Sequence, residues 1–436
     1  MTSRDTTRPI ALTNARIIDP ASGLDIRGGV LVSEEKIAGL GERLFDTGPP
    51  DGAMVIDCRG RCLVPGLVDM RAHLGEPGDE HKETLATSGR AAVAGGVTTI
   101  VCLPNTDPVI DDMSGVEFVA RRARKLGLSK VYPYAAVSKN LAGEEIAELG
   151  MLAEAGAVAF TDGLFPIADA QLMRRALSYA KTFGLLIAQH PEEPSLARGS
   201  AMNAGETATR LGLAGNPSQA EVIMVERDIR LVELTGGRLH FAHLSTTAAI
   251  EAVRQAKRRG LDISCDTAPP YFALNEMAVG EYRTFAKLSP PLRTEQDRQA
   301  VVDGLKDGTI DAIASDHLPQ DEESKRLPFA EAAAGGIGIQ TLLPITLELY
   351  HNGHLDLMSA IDLISRQPAR LLNLPAGTIA RGAAADLTLI DVDKGWIVTE
   401  STLLSKSKNS PFDGRPVQGR AVMTIVDGRI VHDVED

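Results

Sequence analysis

Leu67-Val68-Asp69-Met70-Arg71-Ala72-His73-Leu74-Gly75-Glu76-Pro77-Gly78 alternates strictly between an apolar set (Val68, Met70, Ala72) and a polar set (Asp69, Arg71, His73). A side-chain period of two is that of a strand whose two faces are used differently. Pro65-Gly66 before it and Pro77-Gly78 after it are strand-end punctuation, so the polar triplet should emerge at the C-terminal mouth. In a barrel, that mouth holds the active site. The plainer alternative is an exposed edge strand with one solvated face.

Working outward, the same design recurs. Ala94 to Leu103 ends at Pro104-Asn105, Ala157 to Phe160 at Thr161-Asp162-Gly163, and Leu185 to Ala188 at Gln189-His190. Leu239 to Ala242 ends at His243-Leu244-Ser245, and Ile310 to Ala314 at Ser315-Asp316-His317. Helical patterns such as Ser114 to Leu126 and Thr247 to Arg259 lie between these runs. Such alternation over residues 63–375 predicts an α/β chain with a parallel (β/α)8 barrel of TIM type.

Residues 1–62 read instead as short strands (Ile10–Leu12, Ala15–Ile18, Val30–Val32, Lys36–Leu40) separated by turn residues. Residues 376–436 repeat the style with Asp386–Ile390, Val422–Val426 and a hairpin turn at Asp427-Gly428. Neither set can cover its own apolar face, so the two ends are expected to pair into one small β-sandwich.

With 44% hydrophobic and 24% charged residues and 41 glycines, the composition is that of a globular α/β chain rather than a disordered one. A net charge of −13 without a basic block argues against nucleic acid and acidic membrane surfaces, leaving small-molecule chemistry. Cys58, Cys62, Cys102 and Cys265 are scattered, and Cys58-x-x-x-Cys62 lacks the second pair of a zinc clip. They read as reduced thiols. Together with the polar Met1–Pro9 and the lack of any apolar run of about 18 residues, they suggest a cytoplasmic chain without a membrane span.

His73, Asp162, His190, His243 and Asp316 are therefore expected on one rim. Imidazoles with carboxylates are the ligand set of catalytic zinc and of bimetallic hydrolase centres. Each residue alone has a blander reading, as a hydrogen-bonded structural histidine or a helix-capping Asp. Five at the same position relative to a strand end point to a site.

Pro65 to Gly78, Pro104-Asn105-Thr106-Asp107-Pro108, Phe160-Thr161-Asp162, His243-Leu244-Ser245-Thr246, Ser289-Pro290-Pro291-Leu292-Arg293, Asp307 to His317 and Ser405 to Phe412 together resemble the bacterial dihydroorotases of the amidohydrolase superfamily. The resemblance runs along nearly the whole chain. It implies a metallohydrolase barrel with a β-sandwich built from both chain ends, and a centre of one or two zinc ions. It implies reversible hydrolysis of dihydroorotate to N-carbamoyl-aspartate in pyrimidine synthesis. His73, Asp162, His190, His243 and Asp316 would be metal ligands, with Asp162 bridging two ions and Asp316 also the catalytic proton carrier. Substrate contacts would fall at Asn105, Arg71, Ser289, Gln320, Ala334 and Gly335. A homodimer is expected, and some relatives partner aspartate carbamoyltransferase.

The chain also departs from the family pattern. Arg71 stands at the first His of His-x-His, and a guanidinium offers no lone pair to a cation. Gly75 replaces an Arg that grips the substrate carboxylate, Ser289 an Asn, Gln320 a His, and Pro269-Pro270 a His pair. Three functions stay in view. One is a dihydroorotase in which Arg71 reaches toward the substrate carboxylate. The others are a catalytically silent homologue that partners aspartate carbamoyltransferase, and a hydrolase of another cyclic imide or ureide. Arg71 is expected to occupy the first metal's place and to pair with Asp316 or Asp162. His190, His243 and Asp162 are expected to share one ligand sphere within about 4–5 Å. The loop Leu318–Pro328, with its charged run Asp321–Arg326, reads as solvated surface.

Overall fold

The computed structural model describes residues 8–434, so the polar tail read at Met1–Pro9 lies largely outside the described residues. The stretch quoted first forms the strand Leu67–Ala72, buried at polar and apolar positions alike. It is the first of eight parallel strands, followed by Val97–Cys102, Lys130–Ala135, Ala159–Phe160, Leu186–Gln189, Arg238–Phe241, Ile263–Thr267 and Ala312–Ile313, hydrogen-bonded in chain order. A parallel bridge from Ala72 to His317 brings the last strand's end back to the first, and His73 N donates to His317 O at 2.7 Å. The first strand thus has neighbours on both sides, which removes the edge-strand alternative. This is the expected (β/α)8 barrel.

Inside, Met70 packs with Val101, Tyr134, Ala159, Ala188 and Ala312. The barrel centre is therefore filled, and polar groups are carried to its mouth. The helices Met113–Leu126 and Thr247–Arg258 open on side-chain caps: Asp112 accepts from Gly115 N at 2.8 Å, and Thr246 from Ala249 N. The strand expected over Ala94–Leu103 is shorter. Ala94 closes the helix Leu85–Ala94, and Gly95-Gly96 make the turn, with Gly96 at φ +82 where a Cβ would lie 2.6 Å from Thr388 Cγ2. Likewise Ala157, Val158, Ile310, Asp311 and Ala314 flank two-residue strands rather than join them.

The two chain ends lie in one mixed eight-stranded sheet. Its order is Arg429–Asp433, Pro416–Val426, Leu387–Ile397, Cys62–Pro65, Ile10–Asp19, Leu24–Ser33, Lys36–Gly41, with Met54–Asp57 beside Ile10–Asp19. The junction strand Cys62–Pro65 runs antiparallel to Leu387–Ile390 and parallel to Arg16 and Ile17. The boundary expected between residues 62 and 63 thus falls inside this strand, and the barrel opens at Leu67. The runs read as Ile10–Leu12 and Ala15–Ile18 are one strand, with its register shifted between Leu12 and Ala15, where Asn14 takes φ +53. Leu12, Ile17, Leu63, Leu387, Leu389 and Ile425 form a core drawn from both ends. Thr388 Oγ1 donates to Gly96 O and Thr424 Oγ1 to Val93 O, both at 2.7 Å, which ties the sheet to the barrel. All four cysteines are free and buried. No helix among the described residues is long and apolar enough to cross a membrane.

Candidate active site

His73, Asn105, Asp162, His190, His243 and Asp316 each follow a barrel strand at its C-terminal end, so the topology brings all six to one mouth. His243 and Asp316 take φ of +56 and +48. Such left-handed values cost a side chain about 1–3 kcal/mol and persist where the surroundings prescribe the geometry. The two side chains meet: His243 Nε2 lies 3.0 Å from Asp316 Oδ1, and Nδ1 lies 2.9 Å from Asp266 Oδ1. Asp266 Oδ2 is 3.1 Å from His240 Nε2, and His240 Nδ1 is 2.8 Å from Ser264 Oγ. Burial opposes charge on His243, yet Asp316 and Asp266 hold its imidazolium up at about 9. The same histidines hold the Asp266 carboxyl far below the usual range against its burial.

Arg71 is 3% exposed. Its Nη2 donates to Gly163 O at 2.9 Å and its Nε lies 3.7 Å from Asp316 Oδ1, so of the two expected pairings the one with Asp316 forms. The Asp162 carboxylate turns elsewhere. Oδ1 accepts from Val137 N at 3.0 Å and Ser138 N at 2.9 Å, and Oδ2 from Ser138 Oγ at 2.5 Å. Burial raises the Asp162 carboxyl against these donors. Asn105 straps the same loop: Nδ2 donates to Asp162 O at 3.1 Å, and Oδ1 accepts from Leu164 N at 3.2 Å. At Gly163, φ is +66 and a Cβ would stand 1.7 Å from Asn105 Oδ1, so the strap needs glycine there.

Each remaining mouth histidine faces a carboxylate. His73 Nε2 is 3.5 Å from Asp79 Oδ2, His190 Nε2 is 3.7 Å from Glu192 Oε2, and His317 Nε2 is 3.6 Å from Glu83 Oε2. The carboxylates respond. His73 holds Asp79 well below its ordinary range, and against burial His190 holds Glu192 down to about 2 and His317 lowers Glu83. Ser289 Oγ donates to Glu192 at 3.1 Å. Gln320 Nε2 donates to Ala334 O at 2.8 Å, while Gly335 O accepts from Asn409 Nδ2 at 3.1 Å. Asn105 and Gln320 line, with His73, Asp79, Lys82 and Phe165, a cavity of about 340 Å³. Arg71, Asp162, His190, His243, Ser289, Asp316, Ala334 and Gly335 lie outside that lining.

A zinc centre needs lone pairs converging on one point at about 2.0–2.2 Å. The donor set here does not fit two ions. Arg71 offers no lone pair, both oxygens of Asp162 accept from the Val137-Ser138 segment, and His243 lies between two carboxylates. Among the described residues, no three His, Cys, Asp or Glu side chains form a group that could hold a metal ion. His190, His243 and Asp162 therefore do not make the single ligand sphere expected. His73 and His190 each keep a buried Nδ1 without a partner. Reading the sequence missed His240, Asp266, Asp79, Glu83 and Glu192. Asp266 carries a signal, as a polar residue near the end of a β-rich run. Asp79 and Glu83 sit in a polar turn where nothing in the sequence indicates their histidine partners.

A family profile described as Dihydro-orotase-like matches residues 60–249, and one described as Amidohydrolase family matches residues 234–432. The dihydroorotase of Anaplasma phagocytophilum is 44% identical, covering 98% of this chain and 96% of that protein. That of Anaeromyxobacter sp. (strain K) is 47% identical over 97% of each. The L-hydantoinase (dihydropyrimidinase) of Arthrobacter aurescens superposes with a TM-score of 0.86 at 25% identity, over 97% of this chain and 96% of that one. Amidohydrolases are metal-dependent, usually on zinc. With this barrel, these strand-end residues and full-length identity of 44–47%, the chain belongs to the dihydroorotase family of the amidohydrolases.

Proposed function

We propose that this chain opens and recloses the ring amide of dihydroorotate, giving N-carbamoyl-aspartate, in the cavity at the barrel mouth. The observation that carries this reading is identity of 44–47% to dihydroorotases along almost the whole chain. His73, Asn105 and Gln320 supply its polar lining, and Lys82 is a cation at its wall for the substrate carboxylate. Asp316, which lies at the same mouth outside that lining and is held by His243 and Arg71, takes a proton from the attacking water and returns it to the ring nitrogen. The experiment is turnover of dihydroorotate by the purified chain, with hydantoin as the comparison substrate. The expected result is hydrolysis of dihydroorotate that Asp316→Asn lowers by about 10²-fold or more. No turnover in either direction, with or without added zinc, would overturn the reading.

A second reading is favoured by the filled ligand positions at Arg71 and Asp162: a silent homologue that serves as structural partner of aspartate carbamoyltransferase. It requires co-elution with that enzyme on size exclusion and no turnover. The same column reports whether the chain alone is a dimer.

A further inference from the structure

We propose that Arg71 is the built-in cation of this barrel mouth, neutralising the Asp316 carboxylate and pinning the loop after the fourth strand, so that the chain reaches its native fold without a metal ion. This goes beyond the functional reading, and its readouts are separate from turnover. Arg71 is almost wholly buried and fixed from two sides, by Gly163 O at 2.9 Å and Asp316 at 3.7 Å. Holding Gly163 helps hold Asp162, whose carboxylate is taken up by three hydrogen bonds from Val137 and Ser138.

The remaining acidic groups at this mouth are already matched. Asp316 and Asp266 share His243, and Asp79, Glu192 and Glu83 each face a histidine. A divalent ion placed beside Asp316 would stand within a few ångströms of a permanent guanidinium charge in a poorly solvated site, where Coulomb repulsion is strong. To ligate it, Asp162 would have to give up three hydrogen bonds. Both effects oppose metal entry: the first traces to Arg71, the second to Val137 and Ser138.

The test measures metal content and melting temperature of the full chain purified from zinc-supplemented culture. The wild type should carry less than about 0.1 metal per chain and melt at the same temperature with EDTA or with zinc, since an ion that bound the folded state would raise it. Arg71→Lys, which keeps the charge, should remain metal-free. Arg71→His should take up zinc and melt higher with zinc than with EDTA. A wild type that holds one or more ions and melts lower after chelation would overturn the proposal, as would Arg71→His that excludes zinc. A metal-free wild type that fails to turn over dihydroorotate upholds this proposal and overturns the functional reading. Turnover that appears only when the wild type binds zinc does the reverse.

Discussion

Asp228 is wholly buried, accepting from Gln189 Nε2 at 3.0 Å and pairing with Arg227 at 2.7 Å. Burial outweighs both partners and raises its carboxyl from 3.8 to about 6. The folded chain therefore holds an extra proton between those values. Its contribution to stability is full below about pH 4 and is lost as pH rises through about 6. At 1.36 kcal/mol per unit this amounts to roughly 3 kcal/mol. In urea unfolding, Asp228→Asn should gain on the wild type by roughly 2–3 kcal/mol between pH 4 and 7.5; a constant gap refutes the assignment. Asp69 is buried as well, and burial raises its carboxyl against the hydrogen bonds it accepts from Ser315 N at 2.9 Å, from Arg71 N at 3.3 Å and from Ser315 Oγ. Asp69→Ala strands those donors and should cost about 2–4 kcal/mol in the same assay. The alternation of Asp69, Arg71 and His73 was legible because it is local. That Asp69 joins the first strand to the segment after the last was not, because Ser315 lies 246 positions away.

Elements differ in how much they announce. The turn at Asp427-Gly428 was legible from local chemistry and the structure has it, whereas the helix caps at Asp112 and Thr246 were not read from the sequence. The charged run Asp321–Arg326, read as solvated surface, is a short helix capped by Asp321 that turns Lys325 inward to 4% exposure. Lys325 Nζ donates to Thr284 O at 3.1 Å and Ala333 O at 2.6 Å, so this loop is fastened, and composition cannot reveal an acceptor offered by distant backbone. Lys325→Met should leave the barrel folded and speed amide exchange across residues 321–335 by at least about tenfold, the equivalent of 1.4 kcal/mol of local stability. Unchanged exchange would show the fastening to be idle. At the loop after the fourth strand, Gly163→Ala meets Asn105 Oδ1 and a left-handed φ. It should lower stability by roughly 2–3 kcal/mol and, by loosening the Asp162 segment, make that loop more sensitive to protease.

The whole molecule is a barrel threaded through a sheet. Lys130, at the start of the third barrel strand, lies 2.7 Å from both Asp386 and Asp427 of the end sheet, where burial raises the Asp386 carboxyl. Lys130→Met should cost roughly 2–4 kcal/mol, seen as a lower melting temperature in a single calorimetric transition for the whole molecule. Two resolved transitions would mean that sheet and barrel unfold separately. Both ends were legible as strand-rich, and their union was inferred from bare apolar faces. The junction at Cys62–Pro65 was not, since its partner lies at the far end of the chain. That pairing also sets a schedule. Leu387–Ile390 leaves the ribosome more than three hundred residues after Cys62–Pro65, which at 5–20 residues per second is roughly 15–65 s. For that interval the nascent chain carries an open β edge and the uncovered Leu12, Ile17 and Leu63, a surface suited to chaperones until the last strands arrive.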